Sequence, residues 1–303
     1  MTDSTLGAFL RARRERLSPA RVGLPGGGHR RTPGLRREEV AARAGVTVDY
    51  YARLEQGRGR NPTESVVEAL ARALLLSGEE RDYLHRLARR SGAGVLAAPE
   101  ISRHTRSLLD TLDRAPAYVV DARLDVLACN RAARLLLGDA CRDVGGDVGQ
   151  DVRRDGGGAP AAGRNLLWLL YAGRRVAELF DAADLEAVRR GLVAGLRARS
   201  PYLSGDPATA ALLRRLTAAS PAFRREWREY RVEEPRRGPL RMRHPLVGEI
   251  PLDYTVLDLP ECGQRLVTHL APPAGPARRA VALLAANNRP GREEPRPFAT
   301  RPL

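Results

Sequence analysis

The chain contains no lysine: all 51 of its Lys/Arg positions are arginine, set against 36 acidic residues for a net charge of +15. A GC-rich coding genome accounts for the choice of arginine, but not for the surplus. Residues 1–92 alone hold 18 arginines against 11 acidic residues, a net +7. Such a surplus attracts polyanions and releases counterions from DNA, although a ribosomal or membrane-surface protein would fit the charge equally well. Cysteine is almost as scarce: Cys129, Cys141 and Cys262 are the only three. They show no CxxC or Cys/His ligand spacing, so neither a disulfide framework nor a zinc finger is expected, and a reducing cytoplasm is the expected home. No apolar run approaches the roughly 18–20 residues of a membrane span. The opening MTDSTLGAFLRARRERL is amphipathic and lacks a signal-peptide core. There is no GxSxG, P-loop, HExxH or helix-opening GxGxxG, and His104, His244 and His269 lack metal-like spacing. Neither an enzyme, nor a metal site, nor a resident cofactor such as haem or flavin is expected.

What is present begins with helices. Leu6, Phe9, Leu10 and Leu17 repeat at helical spacing among arginines until Ser18-Pro19. After the Gly/Pro/Arg-rich loop VGLPGGGHRRTPG, a second helix is predicted over about 36–44. A third starts at Thr47 as N-cap and ends at Gly57. The fourth follows Asn61-Pro62-Thr63 with Val66, Val67, Leu70, Leu74 and Leu75 as its apolar stripe, and the fifth spans 77–90. Two short helices joined through Gly45 have the layout of a helix-turn-helix, whose second helix enters the major groove of DNA. Val40, Ala41, Ala44, Val46, Tyr51 and Leu54 are spaced to pack the two helices together, and Gly45 suits the left-handed turn between them. Glu55 is expected to pair with Arg11, Arg13 or Arg43.

The outward positions carry the reading chemistry. Val48, Asp49 and Arg53 are expected at base edges: Val48 on a thymine methyl, Asp49 accepting from a cytosine amine, Arg53 on guanine O6 and N7. Arg36, Arg37, Thr47, Tyr50, Arg58, Arg60 and Asn61 are expected at the DNA backbone. The competing reading from another class is a helical interaction module, an anti-sigma or antitoxin-like partner with incidental DNA affinity; the outward Arg53, Arg58 and Arg60 argue against it.

Residues 91–99 read as a linker, and a short helix spans about 101–113. Two β-rich runs, 117–121 and 124–129, meet at a tight turn before Asn130 caps another helix. The Gly/Asp-rich stretch 138–163 reads as a flexible insert and 287–303 as a disordered tail. Between them lie helical patterns at about 165–180, 181–199, 207–218 and 221–229, strands at 239–243, 249–259 and 264–270, and a last helix at 276–286. Early and late strands are expected to pair, closing one α+β domain. Trp168, Tyr171, Phe180, Phe223, Trp227 and Tyr254 gather in this half, as pocket linings do and as cores do. Arg164, Asn165, Arg241, Arg243 and His244 offer anchors for a carboxylate. The alternatives are an N-cap role for Asn165, solvated arginines and a structural hydrogen bond for His244.

Strand, turn, strand, Asn and helix resemble the opening of PAS-type domains. The run GLRREEVAARAGVTVDYYARLEQGRGRNP resembles the helix-turn-helix of Xre-type regulators. With the loop VGLPGGGHRRTPG it is similar to the actinobacterial branch carrying an MmyB-like ligand-binding domain. PAYVVDARLDVLACN, RNLLWLLY, SPAFRREW, RMRHPLVGEIPLDYTVLDLP and QRLVTHLAPP resemble segments of that domain in the right order, so the likeness covers about 6–285. It implies an α+β protein: an all-α five-helix helix-turn-helix domain at 1–92 followed by a PAS-like α+β domain at 100–286. It also implies a small apolar effector such as a fatty acid, bound in part by Arg164, Asn165, Trp168, Tyr171, Phe223, Trp227, His244 and Tyr254. One such motif covers few base pairs, so a homodimer on an inverted repeat of double-stranded DNA is expected, with half-sites about 10 bp apart or a multiple.

Overall fold

The computed structural model describes residues 6–24, 34–58, 61–89, 101–112, 115–141, 164–259, 263–273 and 275–286. Most of the expected loop after Val22, the linker 91–99, Arg60, Cys262, most of the expected insert at 138–163 and the tail 287–303 lie outside the described residues.

Five helices form the first part: α1 (Leu6–Arg16), α2 (Arg37–Ala44), α3 (Val48–Glu55), α4 (Glu64–Ala73) and α5 (Gly78–Ala88). Local chemistry fixes their ends. The Glu39 carboxylate accepts the Arg36 N–H at 2.6 Å, Thr47 accepts the Tyr50 N–H at 3.2 Å, and Ser77 and Glu80 cap α5 reciprocally. Gly45 turns α2 into α3 at φ +66, a conformation that a Cβ would strain. Phe9, Leu10, Val40, Ala41, Tyr51, Leu54, Leu70, Tyr83 and Leu84 build the core. Phe9 and Tyr83 meet edge to face at 5.0 Å. Leu75 departs from its expected place: α4 stops at Ala73, and Leu75 follows at φ +51 with its side chain exposed.

Glu55 also finds partners other than those expected. Its carboxylate accepts from Arg14 Nε at 2.5 Å and from Arg37 Nε at 2.7 Å. Arg13 pairs instead with Glu80, and Arg43 donates to the carbonyls of Ala73 and Val22. The reason is the approach of α1. Gly7 lies so close to the end of α3 that a Cβ there would sit 2.3 Å from Glu55 O, and Arg14, two turns on, is buried over the carboxylate.

The second part contains α6 (Arg103–Thr111), β1 (Ala117–Val120), β2 (Val126–Cys129), α7 (Arg131–Leu137), α8 (Leu166–Tyr171), α9 (Ala182–Arg199), α10 (Pro207–Ala219), α11 (Pro221–Arg228), β3 (Arg237–His244), β4 (Gly248–Leu259), β5 (Gln264–Leu270) and α12 (Pro276–Ala286). The sheet is antiparallel in the order β2-β1-β5-β4-β3, so the first strand pairs with the last, as expected for an α+β domain closed by its early and late strands. Burial alternates along β3 and β4: Leu240, Met242, Ile250 and Leu252 face the core, while Arg241, Arg243, Pro251 and Asp253 face outward. The helix expected over 165–180 stops at Tyr171. Gly173 follows with its α-hydrogens against the Leu169 carbonyl, where a Cβ would stand 2.7 Å away.

The cysteines correct the expectation of no disulfide framework. Cys129 and Cys141 are bonded, 12 residues apart with Cα atoms 5.9 Å apart. The chain leaves β2 at Cys129, runs through α7 and folds back to the strand end in a short 3₁₀ turn, so a separation that looks long in sequence is short in space.

The buried Glu55 pair is expected to dominate the stability of the first part. Glu55→Gln leaves Arg14 only the exposed Glu15 as counter-charge and should cost about 3 kcal/mol in denaturant titrations. Burial pushes the Glu55 carboxyl up, but the hydrogen bonds and charges of Arg14 and Arg37 hold it below the usual range. A lowered native value stabilises the fold above the unfolded carboxyl's pKa of about 4.3 and ceases to do so as pH falls through the native value. The gap between wild type and Glu55→Gln should therefore close in acid.

Candidate functional site

Helix α3 presents Val48, Asp49 and Arg53 to solvent, Val48 with 48% of its surface exposed. One turn apart, Asp49 and Arg53 pair at 3.1 Å. Thr47 is committed to capping, and Tyr50 packs partly against the core. Past α3, Gly57 at φ +68 turns the chain so that Arg58 and Asn61 are exposed, with the Arg58 N–H bonded to Arg53 O at 3.0 Å. At the start of α2, Arg36 pairs with Glu38 at 3.3 Å, whereas Arg37 gives its Nε to Glu55. A cationic rim thus flanks a helix whose outward side chains offer an apolar surface, an acceptor and a forked donor.

In the second part the expected ligand residues divide into separate groups. Tyr171 meets Phe223 edge to face at 5.3 Å, and Phe223 stacks on Trp227 at 5.8 Å. The Tyr171 hydroxyl donates to Glu226 at 2.6 Å, and Arg189 lies 4.9 Å from the Tyr171 ring centre. Trp168, on α8 with Tyr171, carries Arg215 at 4.6 Å. Phe180 packs half-buried on the same core. Asn165 is wholly buried and fully used: its carbonyl caps α8, and its amide donates to Arg123 O at 2.9 Å and Asp125 Oδ1 at 2.8 Å. Burial, aided by Asp121, pushes the Asp125 carboxyl up to about 6, against the pull of Asn165, Arg123 and Arg164.

His244 closes β3 over α7. Its Nε2 bonds Leu135 O at 3.1 Å, and its Nδ1 accepts the Leu246 N–H at 3.3 Å. Burial lowers its pKa, and the Leu135 bond acts the other way. Tyr254 folds across Gly238, where a Cβ would come within 3.1 Å of the ring. Arg241 and Arg243 stand on the opposite, exposed face, Arg241 paired with Asp184 at 3.2 Å. The residues expected to hold a carboxylate are therefore dispersed.

A buried residue that looks ordinary in its own segment lies at the seam between the two parts. Arg197, near the end of α9, is 1% exposed. Its guanidinium lies 3.4 Å from the Trp227 ring centre and 4.1 Å from that of Tyr230, and it donates to Trp227 O. Burial lowers its pKa, offset in part by Tyr83 and Tyr230. Around it, Tyr83 bonds Ser200 at 3.2 Å, Arg86 donates to Ala198 O at 3.2 Å, Arg16 donates to Glu229 O at 2.7 Å, and Arg13 donates to Tyr230 O. Ala198 and Val232 belong to the hydrophobic core of the first part. Within a run of helical periodicity Arg197 reads as one more surface arginine; only the later aromatics at 227 and 230 explain it.

Residues 101–284 match the family model of the MmyB-like transcription regulator ligand binding domain, and residues 5–95 match that of a helix-turn-helix domain. No curated protein matches the chain. The two matched segments meet at Arg197. Arg197→Ala should lower stability by about 2–4 kcal/mol through the lost cation–π contacts and the cavity left behind. Arg197→Lys should recover little of this in thermal melts, because an ammonium cannot stack as a plane between two rings.

Proposed function

The chain belongs to the family of MmyB-like transcription regulators, a helix-turn-helix domain joined to a ligand-binding domain, and we propose that it acts as a cytoplasmic homodimer of the Xre type on an inverted-repeat operator. The observation that carries this reading is the outward set on α3, with Val48, Asp49 and Arg53 exposed above a rigid core and arginines on either side. In the proposed complex α3 lies in the major groove. Arg53 takes guanine O6 and N7, Asp49 a cytosine amine and Val48 a thymine methyl. Arg36, Arg37, Thr47, Tyr50, Arg58, Arg60 and Asn61 hold the phosphates. Arg37 does so while bonded to Glu55 through Nε, since 43% of its side chain remains exposed.

The effector we propose is an apolar, fatty-acyl-like small molecule in the second domain, whose occupancy biases DNA affinity. The aromatic run Tyr171–Phe223–Trp227 ends on Arg197, and Arg197 interacts with Tyr83 of the helix-turn-helix core. A ligand that shifts this run has a packed route to α1 and α5. Coupling of this kind requires that the ligand bind two arrangements of that route unequally. Among the described residues no helix is long and apolar enough to cross a membrane.

Selection from randomised duplexes, followed by sedimentation of the complex, tests the reading. The expected outcome is a palindromic site bound by two chains; a single chain on an asymmetric site would overturn the dimer. Arg53→Ala should cost about 1–3 kcal/mol and relax the preference at one base pair of each half-site. Arg58→Ala should weaken all sequences alike and reduce the salt slope by about 1. Arg58 is the cleaner phosphate probe, because Arg37 also supports Glu55.

A further inference from the structure

His269 lies on β5, the central strand of the sheet, and is buried. Its backbone N–H bonds Pro116 O at 2.8 Å, yet among the described residues neither ring nitrogen has a partner. The register sets it opposite Tyr254 and next to the Tyr118–Val267 pair, and its ring stacks on Tyr118 at 5.6 Å and 29°. The same face carries Leu240, Met242, Ile250 and Leu252, so the imidazole stands on the apolar side of the sheet. Burial takes its pKa down to about 4, so it is neutral at physiological pH, with one N–H donor and one acceptor.

Buried polar groups are almost always hydrogen-bonded, and leaving them bare is destabilising. Asn130, Asn165 and His244 of this domain use their polar atoms fully. Single nitrogens of Arg197, Arg199 and Arg231 are also bare among the described residues, but the His269 ring has both of its nitrogens bare on the apolar face. His269 is thus a prepared donor and acceptor whose partner must come from outside the described chain.

We propose that His269 is the polar anchor of the effector site, hydrogen-bonding an uncharged head group, a hydroxyl or carbonyl, on an apolar molecule seated against the core face of the sheet beside Tyr118 and Tyr254. This rests on reading the domain as an effector domain. The uncharged head follows from what shares the face. Arg265, the cation on the same face of β5, lies four residue pairs away and is committed to Asp258 at 2.9 Å and Glu234 at 3.0 Å. Arg241 and Arg243 stand on the other face. A carboxylate there would be buried without a counter-charge, whereas a hydroxyl satisfies a neutral imidazole.

Calorimetric titration of the full chain with 1-decanol and with decanoate tests this, together with the ¹⁵N shifts of the imidazole. Wild type should bind decanol more tightly than decanoate, and the His269 ring nitrogens should shift on binding. His269→Leu should weaken decanol about tenfold while melting a few degrees higher than wild type, because a bare polar group has been removed. His269→Gln, which keeps a donor and an acceptor, should retain part of the affinity. Equal decanol affinity in wild type and both variants would overturn the anchor and leave the effector reading standing. Tighter decanoate binding would overturn the uncharged head. A lower melting temperature for His269→Leu, with unshifted ring nitrogens in saturated wild type, would make the imidazole structural. No binding of either probe would overturn the effector reading and the anchor together.

Discussion

The two halves of this regulator meet around one guanidinium out of water, with Tyr83–Ser200, Arg86–Ala198, Arg16–Glu229 and Arg13–Tyr230 bonding across the seam beside it. Among the described residues no carboxylate pairs with Arg197; its charge is spread against the faces of Trp227 and Tyr230 and the Trp227 carbonyl. A buried cation without a counter-ion persists only where polarisable rings and oriented dipoles replace its hydration. Both rings belong to the second half and sit where α11 ends and the chain crosses toward the sheet. The position of that crossing strand in turn fixes Tyr230 and Val232 against α1 and α5. Any change in how α11 lies on α9 is felt at this cation, and there is little slack to absorb it.

A second ion pair organises the reading head. Glu55 closes α3, and its carboxylate is shared between Arg14 on α1 and Arg37 on α2. One buried anion therefore sets the mutual positions of three helices, and Gly7 permits the approach that makes this possible. The recognition helix projects from a scaffold that has few ways to deform. In the proposed complex, that rigidity is what side chains as short as Val48 and Asp49 need to discriminate bases.

The fold was legible in sequence where short-range rules act. The caps at Thr47, Asn130 and Asn165, the left-handed Gly45 and the pairing of early with late strands were readable from the sequence. What stayed hidden depends on distant residues meeting. Glu55 chose Arg14 because of a helix crossing that sequence does not encode locally, and Cys129 found Cys141 because a helix folded back between them. Arg197 and His269 look ordinary in their own segments, one in an arginine-rich helix and one in a strand; each becomes unusual only through what does or does not surround it. The outward residues of α3 were readable because a helix-turn-helix fixes inside and outside by period. The ligand residues were not, because an aromatic in a core and an aromatic on a pocket wall have the same sequence signature.

Under the proposed reading of α3, the pair between Asp49 and Arg53 bears on how the protein searches DNA. Exposed pairs one helical turn apart are worth only about 0.3–0.5 kcal/mol, so Arg53 is restrained without being trapped. While the protein slides over unrelated sequence, Asp49 partly neutralises Arg53 and repels the phosphate ridges. Arg53, the proposed base reader, then adds little to non-specific grip, which is left to the rim. At a site offering guanine to Arg53 and a cytosine amine to Asp49, both partners are replaced at once and the internal pair opens. The recognition helix thus travels with its charges folded in upon each other, and separates them where the sequence rewards it.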